Sequence, residues 1–288
     1  MSRQSFNLPK TLTRELLKNF LMEDEGYGDI TSNLLVPKGK QIQAHIFTKE
    51  ECVLSGVQLL CELFEPEGCK VILKAEDGEI LKSNQDIALI SGAMRGILLR
   101  ERLALNLLSR MCGIATKTRT FVQQLPKNSK TLIATTRKTS PGLRLFEKYA
   151  VTCGGGDTHR LRLDDMILIK DNHRVLFKSI SDAVKEVRSK VSFSKKIEVE
   201  VEDFKTMVEA VEAGADIIML DNMTPDQVAK AIDILKEKGL RDKVLLEVSG
   251  GVNEKNVGKY AKLNPDIISA GALTHSYKSI DLSLEMIK

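Results

Sequence analysis

Residues 197–251 read IEVEVEDFKTMVEAVEAGADIIMLDNMTPDQVAKAIDILKEKGLRDKVLLEVSGG. Three short runs, IEVEV, DIIML and VLLEV, are separated by two stretches whose apolar residues recur at helical spacing, FKTMVEAVEAG and PDQVAKAIDILKEKG. The second opens on Pro225, whose fixed φ suits a first helical position, and closes on Gly239, which ends helices. Runs such as DIIML are apolar on both faces, as strands buried in a parallel sheet are. Short strands alternating with amphipathic helices, with no long loop between them, are βα units around a parallel sheet.

The same texture extends outward in both directions. TLIATT (131–136) and MILIK (166–170) precede this stretch as strands, and DIISA (266–270) follows it. The last residues, SYKSIDLSLEMIK (276–288), read as a terminal helix. Upstream of Met111 the regular order is lost. QIQAHIF (41–47) alternates polar and apolar residues, which makes His45 a strand residue, and CVLSGV (52–57) and IALISG (87–92) are short and β-rich. An α+β layer results, followed by a helix through RGILLRERLALNLLSRM (95–111) that is apolar around most of its circumference and is expected to be buried. Its charges Arg100, Glu101 and Arg102 then need partners.

With 288 residues, 42% of them hydrophobic, the chain can bury a full core. Lys and Arg exceed Asp and Glu by only 43 to 39, too even a balance for coating nucleic acid or an anionic membrane. No apolar run reaches the roughly 18 residues of a membrane span, and no signal-peptide core stands at the N-terminus, so a cytoplasmic protein is expected. The five cysteines form no C-x-x-C pair, which argues against a disulfide framework or a zinc site and for reduced, structural thiols. Cys153 and His159 share a glycine-rich stretch, and such a pair can make an activated nucleophile, but no third, orienting group is evident.

The polar residues concentrate where strands end. TLIATT is followed by Arg137 and Lys138, MILI by Lys170, IEV by Glu200, DIIML by Asp221, VLLEV by Ser249, Gly250 and Gly251, and DIISA by Gly271. Any one strand must end in something polar, but the set is sorted: the first two ends carry cations and the next two carboxylates. In a β/α barrel all of these ends open into one mouth, where such barrels keep their active sites. GGGDTHRLRLDD, between the two cationic ends, adds His159, Arg160 and Arg162. Such a mouth suits a small polyanion beside a phosphorylated ligand carried with a divalent metal. The SGG and SAG turns after late strands lie where barrels bind phosphate through backbone N–H groups.

The run ATTRKTSPGLRLFEKYAVTCGGGDTHRLRLDDMILIKDNH (134–173) resembles the signature region of the quinolinate phosphoribosyltransferases. GDITSNLL, ERLALNLLSRMCGIAT, IEVEVEDF, IIMLDNM, EVSGGV and SAGALTHS match the same family in order, so the resemblance covers nearly the whole chain. Ser140 stands where the family usually has Thr, and Arg162 and the TCGGGDT wording are less typical, but no matched functional position is replaced. The resemblance implies the type II phosphoribosyltransferase fold. It has an N-terminal α/β sandwich (1–112), an incomplete seven-stranded α/β barrel (113–275), and a C-terminal helix (276–288) returning to the first domain. It implies transfer of a phosphoribosyl group from phosphoribosyl pyrophosphate to quinolinate with loss of CO2, and Mg2+ as the metal. Carried over residue by residue, Arg137, Lys138, His159, Arg160 and Lys170 would hold quinolinate, with Arg102 reaching in from a neighbouring subunit of a homodimer that could assemble further. Glu200 and Asp221 would serve the ribose and the metal, directly or through water. Ser249, Gly250, Gly251 and Gly271 would hold phosphate, and Lys138, Glu200 and Asp221 would be catalytic.

Three other readings compete. Nicotinate phosphoribosyltransferase shares the fold but needs a pocket for one carboxylate, which the crowd of cations from Arg137 to Lys170 opposes. Molybdenum-associated relatives of the family are closer in sequence. A non-catalytic anion sensor would keep the cations but has no reason to keep Glu200 and Asp221 together.

Overall fold

The computed structural model describes residues 6–287, which form two compact units. One comprises the chain up to Arg119, the segment Thr139–Gly155 and the chain from Ser276 on; the other comprises Thr120–Lys138 and Gly156–His275.

In the first unit the strands are β1 (Gln41–Thr48), β2 (Cys52–Val53), β3 (Lys70–Leu73), β4 (Ile80–Leu81) and β5 (Asp86–Ala93). β5 pairs antiparallel with β1 and β3, and β2 with β4. The alternation in β1 buries Ala44 and Ile46 completely and turns His45 outward, where its Nδ1 lies 2.8 Å from Asp86. The apolar stretch expected as a helix runs from Met94 to Val122 and buries Ile97, Leu103, Ala104, Leu108, Met111 and Ile114.

Of the charges on this helix, one is as expected and one is not. Arg100 is the buried one, at 7% exposure, and its guanidinium meets Glu67 at 2.5 Å. Arg102, expected to be buried, is exposed together with Asn106 one turn on. A helix apolar around most of its circumference still leaves a narrow polar stripe, and these two residues occupy it. The helix also continues unbroken past the expected boundary at 112, and the helix Arg144–Cys153 belongs with it in the first unit. Arg119 Nε donates to the Gly154 carbonyl at 3.0 Å, and Arg110 Nε to the fully buried Glu147 at 2.9 Å.

The strands of the second unit are β6 (Leu132–Ala134), β7 (Ile167–Ile169), β8 (Ile197–Val201), β9 (Ile217–Asp221), β10 (Leu245–Ser249) and β11 (Ile267–Ser269). They form one parallel sheet in the order β6-β11-β10-β9-β8-β7. Of the seven strands expected, the seventh is reduced to a single bridge from Asp157 to Ala134 on β6. The intervening helices start on side-chain caps: Ser179 for Ile180–Lys190, Asp203 for Phe204–Glu212, and Thr224 for Pro225–Glu237, where Gln227 completes a capping box. Phe204–Glu212 packs on β8 and β9.

The sheet must curl. Asp157 is bridged to β6, yet the ring of His159 lies 3.0 Å from Glu247 on β10 and 3.6 Å from Glu198 on β8. In a flat sheet β8 would stand about 24 Å from Asp157, at about 4.8 Å per strand. Two residues of chain and one side chain span well under that. The sheet is therefore rolled into an open barrel, with no strand pairing joining β7 to Asp157 among the described residues.

The terminal segment is a correction. Leu282–Ile287 is a strand, β12, paired antiparallel with β1, where a helix was expected; Lys288 lies outside the described residues. Leu, Glu and Met favour a helix in isolation, but the open edge of β1 offers a row of backbone partners, and tertiary pairing overrides that preference. The approach to β12 crosses the long helix at Gly113, where a Cβ would sit 2.2 Å from the Lys278 carbonyl oxygen.

Candidate active site

Strand register places the site. Parallel pairing sets Glu200 beside Met219, Met219 beside Glu247, and Asp221 beside Ser249. Because side chains alternate, Glu198, Glu200, Asp221, Glu247, Ser249 and Ser269 all leave the same face of the sheet, the inside of the barrel. The other face carries Val199, Ile218, Leu220, Leu246 and Val248, all fully buried.

At the C-terminal ends, Lys170 Nζ lies 3.1 Å from Glu200 Oε2. Asp221 Oδ2 accepts from Asn222 Nδ2 at 2.6 Å. Asn222 has φ 54, and its amide donates to the Ser249 carbonyl at 2.9 Å, which ties the ends of β9 and β10 together. Gly250 follows with φ 89, and a Cβ there would stand 2.3 Å from Asn222 Oδ1, so only glycine fits. The Gly251 carbonyl accepts from Asn253 and Asn256, each at 3.0 Å, which fixes the turn. Gly271 lies against the Lys138 side chain, whose Cδ would be 2.8 Å from a Cβ. The Lys138 carbonyl accepts from Thr274 Oγ1 at 2.8 Å.

The segment after Asp157 crosses the barrel. His159 has φ 50, a left-handed conformation costly for a non-glycine residue, and its amide donates to Asp157 Oδ1 at 2.8 Å. Its Nε2 lies 3.0 Å from Glu247 Oε2, and its Nδ1 accepts from the Arg160 amide at 2.8 Å. Burial would lower the ring's pKa, but the nearby carboxylates of Glu198 and Glu247, the latter hydrogen-bonded to it, outweigh that and push it up to about 10. Burial pushes Glu198 up to about 7, against the pull of His159. Arg160 is held below the usual arginine range by burial and by the charge of Arg137, so these two cations are neighbours. The Arg162 side chain is exposed and pairs with Asp164 at 3.1 Å.

Arg137, Lys138, His159, Arg160, Lys170, Glu200, Asp221, Ser249, Gly250, Gly251 and Gly271 thus all lie in the second unit, while Arg102 lies in the first. His159 stands between Arg160 and the interior carboxylates, with Nε2 3.0 Å from Glu247 Oε2. Glu198, Glu247 and Ser269 were not foreseen. Their signal was present: Glu198 and Glu247 are charges inside runs read as buried strands, two residues before Glu200 and Ser249. Cys153 is not poised as a nucleophile, since burial pushes its thiol up to about 11.

An open α/β barrel with cations and carboxylates sorted around one mouth, and glycine turns after its late strands, defines an enzyme class that handles a small polyanion beside a phosphorylated ligand. The chain belongs to the quinolinate phosphoribosyl transferase family: residues 29–112 match its N-terminal domain and residues 114–285 its C-terminal domain. A probable nicotinate-nucleotide pyrophosphorylase [carboxylating] of Methanocaldococcus jannaschii is 45% identical over 282 residues, 97% of this chain and 99% of that one. The nicotinate-nucleotide pyrophosphorylase [carboxylating] of Rattus norvegicus is 36% identical, over 98% of this chain and 93% of that one. The solved nicotinate-nucleotide pyrophosphorylase of Francisella tularensis superposes with a TM-score of 0.91 at 36% identity, covering 100% of both chains. Human nicotinic acid phosphoribosyltransferase shares the fold alone, at 12% identity and a TM-score of 0.56.

Proposed function

We propose that the chain transfers the phosphoribosyl group of phosphoribosyl pyrophosphate to quinolinate, giving nicotinate mononucleotide, pyrophosphate and CO2 for NAD synthesis. The observation that carries this is the sorted barrel mouth, where Lys170 meets Glu200 at 3.1 Å at the C-terminal ends of the strands and the charge of Arg137 acts on Arg160. Several cations suit a dicarboxylate, and the carboxylates and glycine turns suit a ribose carrying phosphates.

Arg137, Lys138, His159, Arg160 and Lys170 hold the two substrate carboxylates, and the planar guanidinium groups orient the ring. The pyridine nitrogen's lone pair forms the bond to ribose C1 as the C1–oxygen bond breaks and its electron pair leaves with pyrophosphate. Positive charge develops on the ribose, and Glu200 and Asp221 stabilise it. The bond from C2 to its carboxylate then breaks, CO2 leaves, and the pair left on C2 is stabilised by the adjacent cationic nitrogen until it is protonated. Ser249, Gly250, Gly251 and Gly271 receive phosphate.

Glu200 and Asp221 end neighbouring strands with hard oxygen donors, a set that fits Mg2+ held partly through water and phosphate oxygens. Bound there, Mg2+ would neutralise charge on the departing pyrophosphate. No helix among the described residues is long and apolar enough to cross a membrane. We further propose a cytoplasmic homodimer, or a higher assembly of dimers, in which the exposed Arg102 completes the neighbouring subunit's site. The test is an assay of purified protein with quinolinate, phosphoribosyl pyrophosphate and Mg2+. Release of CO2 and pyrophosphate is expected; equal or better turnover of nicotinate overturns the reading.

A further inference from the structure

Asn222, the residue after Asp221, is fixed at three points. Its backbone amide donates to the Ser249 carbonyl at 2.9 Å, its side-chain Nδ2 donates to Asp221 Oδ2 at 2.6 Å, and its Oδ1 lies where a Cβ on Gly250 would come within 2.3 Å. The next residue anchors it further: Met223 is buried, and its carbonyl accepts from Tyr260 Oη at 3.0 Å. Asn222 therefore touches both the carboxylate that ends β9 and the glycine turn that follows β10.

The direction of its amide follows from charge. An ionised carboxylate accepts and cannot donate, so the nitrogen of Asn222 faces Asp221 and its oxygen faces Gly250. Among the described residues this is the one hydrogen bond that the Asp221 carboxylate accepts, and it engages Oδ2 alone. Asn222 is exposed, so water can also donate to Asp221 there. Water supplies no fixed direction, whereas a side chain held at both ends does. A plainer reason for the residue is its φ of 54, since asparagine tolerates left-handed backbone. Glycine and aspartate tolerate it as well, so the backbone does not explain the amide nitrogen on Asp221.

We propose that Asn222 is a positioning residue: its amide holds the Asp221 carboxylate in one orientation, with Oδ2 occupied and Oδ1 left for the ribose, and ties that carboxylate to the turn that receives phosphate. The proposal rests on the functional reading above, in which Asp221 stabilises charge developing on the ribose. A group oriented in advance contributes most as that charge develops, and a carboxylate free to rotate loses this advantage. The loss therefore falls on kcat.

Two variants separate the amide from the backbone. Asn222→Gly keeps the left-handed backbone and removes the side chain, while Asn222→Asp keeps the shape and replaces the donor by an acceptor. Each should lower kcat about tenfold or more and leave the KM for quinolinate within about threefold of wild type. Wild-type kcat in either folded variant, or a loss confined to the quinolinate KM, overturns the proposal. In a chain already carrying Asp221→Ala, adding Asn222→Gly should lower kcat by less than about threefold, because the group that Asn222 orients is gone. A full, independent loss there means a merely structural role and overturns the proposal as well. The last measurement needs no substrate. The side-chain amide NMR signals of Asn222 are those lost in Asn222→Gly, and their order parameter should be about 0.85, the value of a rigid backbone. A value below about 0.6 describes an amide that holds nothing, and overturns the proposal whether or not the chain turns over quinolinate. A rigid amide in a chain that fails to turn over quinolinate would sink the functional reading instead.

Discussion

Glu147 is fully buried, and its carboxylate is met by Arg110 and by the Ser140 amide at 3.2 Å. Arg110 in turn lies 5.0 Å from the Tyr277 ring centroid. Removing one partner of a buried pair leaves an uncompensated charge, which costs far more than a surface substitution. Arg110→Met should lower unfolding free energy by about 3–5 kcal/mol, whereas Arg102→Met, on an exposed position of the same helix, should change it by no more than about 0.5 kcal/mol. Urea unfolding of the two variants checks this, and equal losses would contradict it. At the mouth, Glu200→Ala and Asp221→Ala should each lower turnover by about a hundredfold or more while quinolinate binding, measured calorimetrically, stays nearly intact. Loss of quinolinate binding in a folded variant would mean that these carboxylates do not act on the ribose side.

The βα units were legible because their signals are local. Thr224 with Gln227, Pro225 and Gly239 mark one helix within its own sequence, and a strand buried on both faces betrays itself by composition. What was illegible depends on distant partners. Leu282–Ile287 is a strand only because β1 lies beside it, and Glu198 and Glu247 become interior groups only when the sheet curls and brings His159 over them. Arg102 was misread for the same kind of reason: the burial of a helix says little about the one stripe it leaves exposed. Gly250 tests the mouth at this scale. Its φ of 89 and the 2.3 Å approach to Asn222 Oδ1 mean that Gly250→Ala must distort the turn joining the ends of β9 and β10. The KM for phosphoribosyl pyrophosphate should rise about tenfold or more while that for quinolinate changes little. The reverse pattern in steady-state kinetics would take phosphate away from this turn.

For the whole molecule the open question is whether one chain makes a complete site. All but one of the candidate residues belong to the second unit; Arg102 belongs to the first and is exposed. If Arg102 serves the barrel of a neighbouring subunit, Arg102→Ala and Lys138→Ala should each be nearly inactive alone. A mixed dimer of the two contains one barrel with a normal Lys138, completed by a normal Arg102 from the other chain, and one barrel lacking both. With random exchange about half the dimers are mixed, and each has one good site of two, so activity should recover to about a quarter of wild type. Subunit exchange is followed independently by differently tagged chains. If the chains exchange and activity stays at the level of the single variants, Arg102 serves its own barrel or none, and the site is not shared.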